Sequence, residues 1–496
     1  MDFIQSTDYS QFVSMLPELI VLGIFVIVLL ADLFAGDTKK SFLTPMTAVL
    51  FLLGTVAIWI VPASGESIFG GMYVNDTMTN AVKAILNIGA FIVILQSAGW
   101  VDREDVVIRK AEFFELMLVT LFGMYLMVSA RHFLLFIIGL ETASLPLAAM
   151  VAFEKRHYES HEAAIKYILT AVFSSAILMV GLSFVYAFST GSLYFDDLAR
   201  VIQSGEMSGL LIAAIAFVIA GIGFKLSLVP FHLWTADVYQ GAPTAVTSYL
   251  SVVSKGAAAV AFFVIFTTCF GGVYSDCWEW MMYAVIIATI TIGNLFAIRQ
   301  KNMKRFMAFS SISQAGYIML GAMAADGLGL ASMIFYIFVY IVSNLGAFAV
   351  ISTIESSTGK LSMDDYNGLH KTNPWLSFTM TLAMFSLAGI PPFAGFFSKI
   401  LIFTSVTGTG SMALYMLVLI ALINTIISLY YYLLVVKAIW ISPEEPKIGA
   451  FRSDNWSRLA LWICVAGIVF FGIVPFIYQY CVDSVSASAG MLGLLN

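Results

Sequence analysis

Long apolar runs, each closed by a short polar cluster, repeat from one end of the sequence to the other. They fall at about 15–34, 43–62, 78–99, 111–130, 132–153, 162–188, 209–230, 243–270, 278–298, 305–324, 328–354, 375–404, 412–440 and 458–480. Each is close to or above the roughly 20 residues that an α-helix needs to cross about 30 Å of hydrocarbon. The pattern therefore predicts an all-α integral membrane protein of about fourteen transmembrane helices, with residues 1–496 forming a single polytopic domain. Several runs exceed a straight crossing and must tilt or break. The loops are at most about 20 residues, too short for a catalytic module, a nucleotide loop or a cofactor box. Whatever this chain does, it does within the bilayer.

Composition agrees with that reading. The chain is 60% hydrophobic and 11% charged, whereas a soluble domain carries about 25% charged residues. Lipid must be its main solvent. Basic residues are too sparse for a nucleic-acid groove. Cys269, Cys277, Cys464 and Cys481 form no C-x-x-C pair and no metal spacing, so they read as small apolar fillers and no metal site is expected. The lysines and arginines test the division into spans: of 24, sixteen fall in alternate loops, among them Lys39, Lys40, Lys155, Arg299 and Lys447, and only Arg131 and Arg200 fall in the opposite set. The rich side is then cytoplasmic, and both termini are periplasmic in a bacterial inner membrane.

Two spans are interrupted in the same way. The seventh runs into FKLSLVPFHLW, with Pro230, and the twelfth contains SLAGIPPFAGFFSK, with Pro391 and Pro392. A proline within a helix removes a backbone donor and frees a carbonyl. Such polar backbone survives in a membrane only where it faces protein or water. The breaks lie five spans apart and suggest two inverted five-helix repeats, spans 4–8 (111–270) and 9–13 (278–440). Residues 1–110 supply three preceding helices, and 441–496 the last helix and the C-terminus. A single kinked span would need no explanation beyond helix curvature; two at matching positions point to an ion path.

Charges deep in apolar runs carry the candidate chemistry. Glu141 lies in the fifth span, Lys225 in the seventh, Lys255 in the eighth and Lys399 in the twelfth. Each costs about 2.5–3.5 kcal/mol at mid-membrane depth. Lysine suits proton transfer because burial favours its neutral form and a nearby carboxylate restores the charged one. Glu141 is expected within ion-pair reach of Lys225, so that moving it would switch that lysine between holding and releasing a proton. Static pairing is the plainer expectation for Lys83 and Lys166, with Lys166 also a candidate auxiliary relay group, and Glu18 and Asp32 are expected at the membrane interface. His232 is a candidate relay or a helix-end contact. Ser310, Ser311, Ser313, Gln314 and Tyr317 form a polar stripe on the tenth span that either holds water or only bonds neighbouring helices. Glu112, opening the fourth span, is a proton-access candidate or an interfacial carboxylate.

At these residues the chain resembles a known family. The runs GLETASLPLAAMVAF, GIGFKLSLVPFHLWTADVYQGAPTAVTSYLSVVSKGAA, KRFMAFSSISQAGYIMLG, YIVSNLGAFAVI and SLAGIPPFAGFFSK look like the antiporter-like subunits of respiratory complex I, over nearly the whole chain. Within them the N-type (ND2-type) branch is the nearest likeness. Lys399 stands where M-type subunits and their antiporter relatives typically carry glutamate, and the L-type branch adds a long lateral helix. The resemblance implies Glu141 and Lys225 as a coupled pair, Lys255 as the central relay and Lys399 as the terminal proton donor. Gln314 departs from the many relatives with histidine there, which puts a histidine relay on the tenth span in doubt. The resemblance also implies no cofactor in this chain, with NADH, FMN, iron–sulfur clusters and quinone handled by partner subunits. The implied partners are the other membrane and hydrophilic subunits of complex I, especially M and the small subunits K and J, together with lipid. A subunit of a multisubunit cation/proton antiporter is the alternative. A purely structural membrane scaffold is a third reading, disfavoured by the buried charges.

Overall fold

The computed structural model describes residues 9–35, 40–60, 63–103, 106–189, 191–204, 208–271, 275–442, 444–474 and 476–490. Lys39 and both chain ends, which entered the orientation argument, lie outside the described residues. Among the described residues, nineteen α-helices carry the fold. They are α1 (Leu16–Ala35), α2 (Leu43–Ile60), α3 (Thr77–Val101), α4 (Lys110–Ser129), α5 (Phe133–Val151), α6 (Tyr158–Phe188) and α7 (Phe195–Ser204). Next come α8 (Gly209–Leu226), α9 (Leu233–Gly241), α10 (Thr244–Tyr249), α11 (Lys255–Cys269), α12 (Ser275–Ala297) and α13 (Met303–Leu320). The chain continues through α14 (Gly327–Thr358), α15 (Pro374–Ala388), α16 (Ala394–Gly408), α17 (Met412–Ile441), α18 (Asn455–Ile473) and α19 (Phe476–Ser488).

Among the described residues, 12 helical stretches are long and apolar enough to cross a membrane, against the expected fourteen or so. The tenth and twelfth expected spans are the two that fall short. The tenth is α13, whose apolar character is diluted by Lys304, Arg305 and the polar stripe. The twelfth exists as two half-helices, α15 and α16. The seventh expected span ends at Leu226 rather than 230, and the last breaks after Ile473 before α19. Two small elements were not legible in the apolar pattern. One is a hairpin pairing Ser67–Ile68 with Tyr73–Val74, and the other is the ten-residue α7.

Helices α3, α10–α11, α13 and α14 form the interior, with the most apolar stretch of α14 wholly buried. Helices α6 and α17 wrap the outside. They expose Ile165, Leu169, Val172 and Phe173, and Leu419, Leu422, Ile423 and Ile426, as a lipid-facing surface requires. Where lipid removes the usual hydrophobic drive, helices associate through close backbone approach. A Cβ on Gly123 of α4 would lie 2.5 Å from the Ala143 nitrogen of α5.

Both expected breaks are present. Helix α8 stops at Ser227, which is left-handed (φ 60°, ψ 36°), and the chain resumes as α9. Helix α15 stops at Gly389 (φ 84°), a position suited to glycine, and resumes as α16. The Val229–Pro230 and Pro391–Pro392 peptide bonds are cis. Freed backbone groups find partners within the protein. Val229 N donates to Thr289 Oγ1 at 3.0 Å, and Gly395 N to Ser386 Oγ at 3.1 Å.

One expectation is overturned in the first three helices. Glu18 is not interfacial: it is fully buried and pairs with fully buried Lys83 at 2.8 Å. Tyr73 donates to Glu18 at 2.7 Å, and Lys83 donates to Tyr73 (3.0 Å) and Asn75 (3.0 Å). The hairpin explains the difference, because it packs on Leu126 of α4 and Leu135 of α5 and delivers Tyr73 into the pair. Asp32 pairs with Lys40 at 2.8 Å and keeps its partly exposed place at the end of α1.

Candidate functional site

The two helix breaks and the polar stripe of α13 place three buried lysines along one run of polar and aromatic contacts. Lys225, Lys255 and Lys399 are 4%, 1% and 4% exposed. At that burial an ammonium needs specific acceptors, and each lysine has them.

Lys225 sits in the last turn of α8, immediately before the first break. Its Nζ donates to Ser144 Oγ of α5 at 2.8 Å and to Tyr167 OH of α6 at 3.4 Å. Glu141 does not make the expected direct ion pair with it. Glu141 is half-buried, one helical turn before Ser144, and its Oε1 accepts from Ser175 of α6 at 2.5 Å. Positions three apart share a helix face, so Ser144 occupies the place the carboxylate was expected to fill. Ser144 Oγ in turn donates to the Leu140 carbonyl at 2.6 Å, and Glu141 has no hydrogen bond or ion pair to Ser144 or Lys225 among the described residues.

Aromatic rings then carry the site across the break. Trp234 of α9 packs on Tyr167 (5.3 Å between ring centroids) and Phe224 (5.1 Å), and its indole donates to the Phe224 carbonyl at 3.1 Å. Trp234 also meets Tyr239 at 6.3 Å. Tyr239 lies beneath Lys255, whose Nζ is 5.5 Å from the ring centroid. Lys255 donates to Ser311 Oγ of α13 at 2.7 Å, and Ser311 lies 3.4 Å from Tyr239 OH. Lys255 opens α11 directly after a π-helical turn, Leu250–Ser254, a local widening often found at functional positions.

From Ser310, the neighbour of Ser311, the contacts continue toward the second break. Ser310 and Tyr432 hydroxyls are 2.6 Å apart. Gln314 Nε2 donates to Tyr432 OH (3.1 Å) and to the Leu387 carbonyl (3.2 Å), and its Oε1 accepts from Tyr336 OH (2.5 Å). Lys399 Nζ donates to the carbonyls of Leu387 (3.0 Å) and Ala388 (3.1 Å), the last of α15, and sits 5.0 Å over the Tyr317 ring. The negative end of a helix dipole is a natural seat for an ammonium. Lys399 therefore lies beyond the break and reaches back to the first half-helix, whereas Lys225 ends the first half-helix itself. The contacts are hydrogen-bonded from Lys399 to Ser310 and from Lys255 to Tyr239; between Tyr239 and Tyr167 they are aromatic.

The remaining expected residues divide. His232 lies half-buried inside the first break, and its buried Nδ1 has no partner among the described residues. Lys166 is no deep charge: it pairs with Glu162 (2.8 Å) and Asp237 (2.7 Å), and Arg305 joins Asp237 at 2.7 Å. These groups line an open cavity of about 170 Å³. Glu112 is exposed in the first turn of α4, and no contact among the described residues joins it to the lysines. Among the described residues no cluster of three or more His, Cys, Asp or Glu stands ready for a metal ion. Sequence reasoning missed Ser144, Tyr167, Tyr239 and Tyr432. Their only signal was a polar hydroxyl within an apolar span.

Comparison with known proteins follows the same lines. A family described as "NADH:quinone oxidoreductase/Mrp antiporter, TM" matches residues 130–428. NADH-quinone oxidoreductase subunit N of Phocaeicola vulgatus is 50% identical over 96% of this chain and 99% of its own. NAD(P)H-quinone oxidoreductase subunit 2 of Rippkaea orientalis is 39% identical over 92% of this chain and 88% of its own. A chain of respiratory complex I from Thermus thermophilus superimposes with TM-score 0.78 at 28% identity, covering 95% of this chain and 99% of that one. A chain of the Mrp complex from Dietzia shares the fold at TM-score 0.81 and 19% identity, covering 98% of this chain and 99% of that one.

Proposed function

The chain belongs to the N-type membrane subunits of the NADH–quinone oxidoreductase family, and we propose that it moves protons through Lys225, Lys255 and Lys399 while partner subunits carry out the redox chemistry. The observation that carries this reading is the chain of buried donors and acceptors on α13: Ser311 serves Lys255, and Gln314 shares the Leu387 carbonyl with Lys399. Glu141 acts on Lys225 by its charge, turning toward or away from it as its partner Ser175 in α6 is lost or gained. Lys255 is the central carrier, and Lys399, held on the last carbonyls of α15, is the terminal donor. His232, Ser310 and Tyr317 are auxiliary groups. Lys166 belongs to an ion-paired mouth rather than to the relay.

In this reading NADH, FMN, iron–sulfur clusters and quinone are bound by partner subunits, and this chain contributes no redox site. Its neighbours are other complex I subunits, with M, K and J the proposed contacts. The proposed setting is a bacterial inner membrane with fourteen crossings, two inverted repeats at 111–270 and 278–440, and both termini periplasmic. The antiporter alternative has support in the shared fold with the Mrp chain, which at 19% identity speaks to architecture alone.

The test is Lys399→Ala in the assembled complex, assayed in inverted membrane vesicles. NADH oxidation with an artificial acceptor, which bypasses the membrane subunits, should be unchanged. Protons moved per NADH oxidised by quinone should fall. Full pumping with complete assembly would remove Lys399 from the path.

A further inference from the structure

Where α15 and α18 begin, the structure holds a cavity of about 320 Å³ that the relay does not use. Its charged lining consists of Arg452 and Arg458 alone. Three other charged cavities mix their cations with carboxylates: Lys166 and Arg305 with Glu162 and Asp237, Lys304 with Glu355, and Arg131 with Asp196. Arg458 Nε donates to Ser453 Oγ at 3.4 Å, and neither arginine has an ion-pair partner among the described residues. The nearest carboxylate along the chain, Asp454, is committed to capping α18, with Oδ2 accepting from Ser457 N at 2.8 Å. Two cations thus line a space with no carboxylate in its wall among the described residues.

The rest of the wall is suited to an amphiphile. Trp375 and Trp462 pack at 4.1 Å between ring centroids. The Trp375 indole N–H is buried and has no acceptor among the described residues, a state that buried donors rarely tolerate. Trp462 in the wall is 56% exposed, and Leu459 and Phe378 are 44% and 43% exposed, the start of the lipid-facing surface of α15 and α18. Tryptophan with arginine at a helix start marks the headgroup level of a bilayer, and basic pockets between transmembrane helices take anionic headgroups.

We propose that this cavity binds the phosphate headgroup of an anionic phospholipid. Arg452 and Arg458 face its phosphate oxygens, and its acyl chains lie along Phe378, Leu459 and Trp462. A free phosphate offers the same charge but nothing for the exposed apolar flank, which is why the proposal commits to lipid.

The experiment uses the complex purified from native membranes in mild detergent, with a photoreactive phosphatidylglycerol as probe and peptide mass spectrometry as readout. Crosslinks are expected in peptides spanning 372–378 and 449–462. Unlabelled phosphatidylglycerol should abolish them, whereas phosphatidylcholine or inorganic phosphate at the same concentration should not. The Arg452→Gln/Arg458→Gln double variant should lose crosslinking about tenfold while the rest of the labelling pattern is kept. Equal competition by phosphatidylcholine would reduce the site to an apolar crevice, and equal competition by inorganic phosphate would make it a free-anion site; either overturns the proposal. So would undiminished crosslinking in the double variant. If that variant fails to assemble, competition on the wild-type complex still decides.

Discussion

Gln314 makes the hydrogen bonds by which α13 reaches the second break, and replacing it by leucine should interrupt the polar contacts between Lys399 and Lys255 without removing either lysine. The wild-type side chain makes three contacts: Tyr336 OH at 2.5 Å, Tyr432 OH at 3.1 Å and the Leu387 carbonyl at 3.2 Å. Interhelical hydrogen bonds within membranes average about 0.6 kcal/mol each, so their combined loss is about 2 kcal/mol. The burden falls unevenly. Tyr432 keeps Ser310, and Leu387 keeps Lys399, but no other partner of the Tyr336 hydroxyl is present among the described residues. Leaving that hydroxyl bare costs about 1–3 kcal/mol. This is small beside the packing of a buried helix, so the complex should assemble. Proton transfer is more sensitive, since each 1.4 kcal/mol added to a barrier slows a step about tenfold. Vesicles containing Gln314→Leu should therefore show normal NADH oxidation by an artificial acceptor and at least severalfold slower NADH-driven acidification. Gln314→His restores both a donor and an acceptor and should recover most of the rate. Wild-type acidification by an assembled Gln314→Leu complex would refute the reasoning and send the path around α13.

Other perturbations follow from the same structure. A Cβ on Gly395 would lie 1.7 Å from the Ser386 carbonyl oxygen, so Gly395→Ala should force α15 and α16 apart and lower assembly or pumping; Gly408→Ala, with nothing within 4 Å, is the neutral control on the same helix. Glu18→Gln removes the anionic partner of fully buried Lys83 and should destabilise the first three helices by about 3–5 kcal/mol, read as loss of assembled complex on native gels; adding Lys83→Met should restore part of it, and no recovery would argue that the pair does more than hold helices. Reporter fusions after residues 38 and 302 should both read cytoplasmic, and a periplasmic reading at either would invert or break the proposed topology.

The sequence exposed the spans, the breaks and the lysines because each leaves a one-dimensional mark: a long apolar run, a proline or glycine within it, a charge far from its ends. Partners were harder to see. Glu18 lies only a few residues into its span and so looked interfacial; its burial depends on a hairpin at 67–74 that closes over it, and short strands leave no mark among apolar runs. Static pairing was the plainer expectation for Lys166, but its partner could not be read from the sequence: Asp237 is supplied from 71 residues away. Glu141 was expected to touch Lys225, but which residue meets the lysine turns on one helical turn of α5, and Ser144 holds that position. The tyrosines were invisible as a set, since Tyr167, Tyr239 and Tyr432 come together only once three separate helices pack.

The central claim is that Lys255 carries protons between the two breaks, and the direct measurement is the number of protons moved per NADH oxidised in vesicles whose complex bears Lys255→Ala. Alanine is well tolerated in a helix, so assembly should survive. The account predicts a reduced ratio, and a reduced rate where turnover is tightly coupled, with Lys255→Arg failing to rescue fully because a guanidinium does not release its proton in this range. An assembled Lys255→Ala complex that pumps at the wild-type ratio and rate would show that this lysine is a structural charge and that protons travel elsewhere.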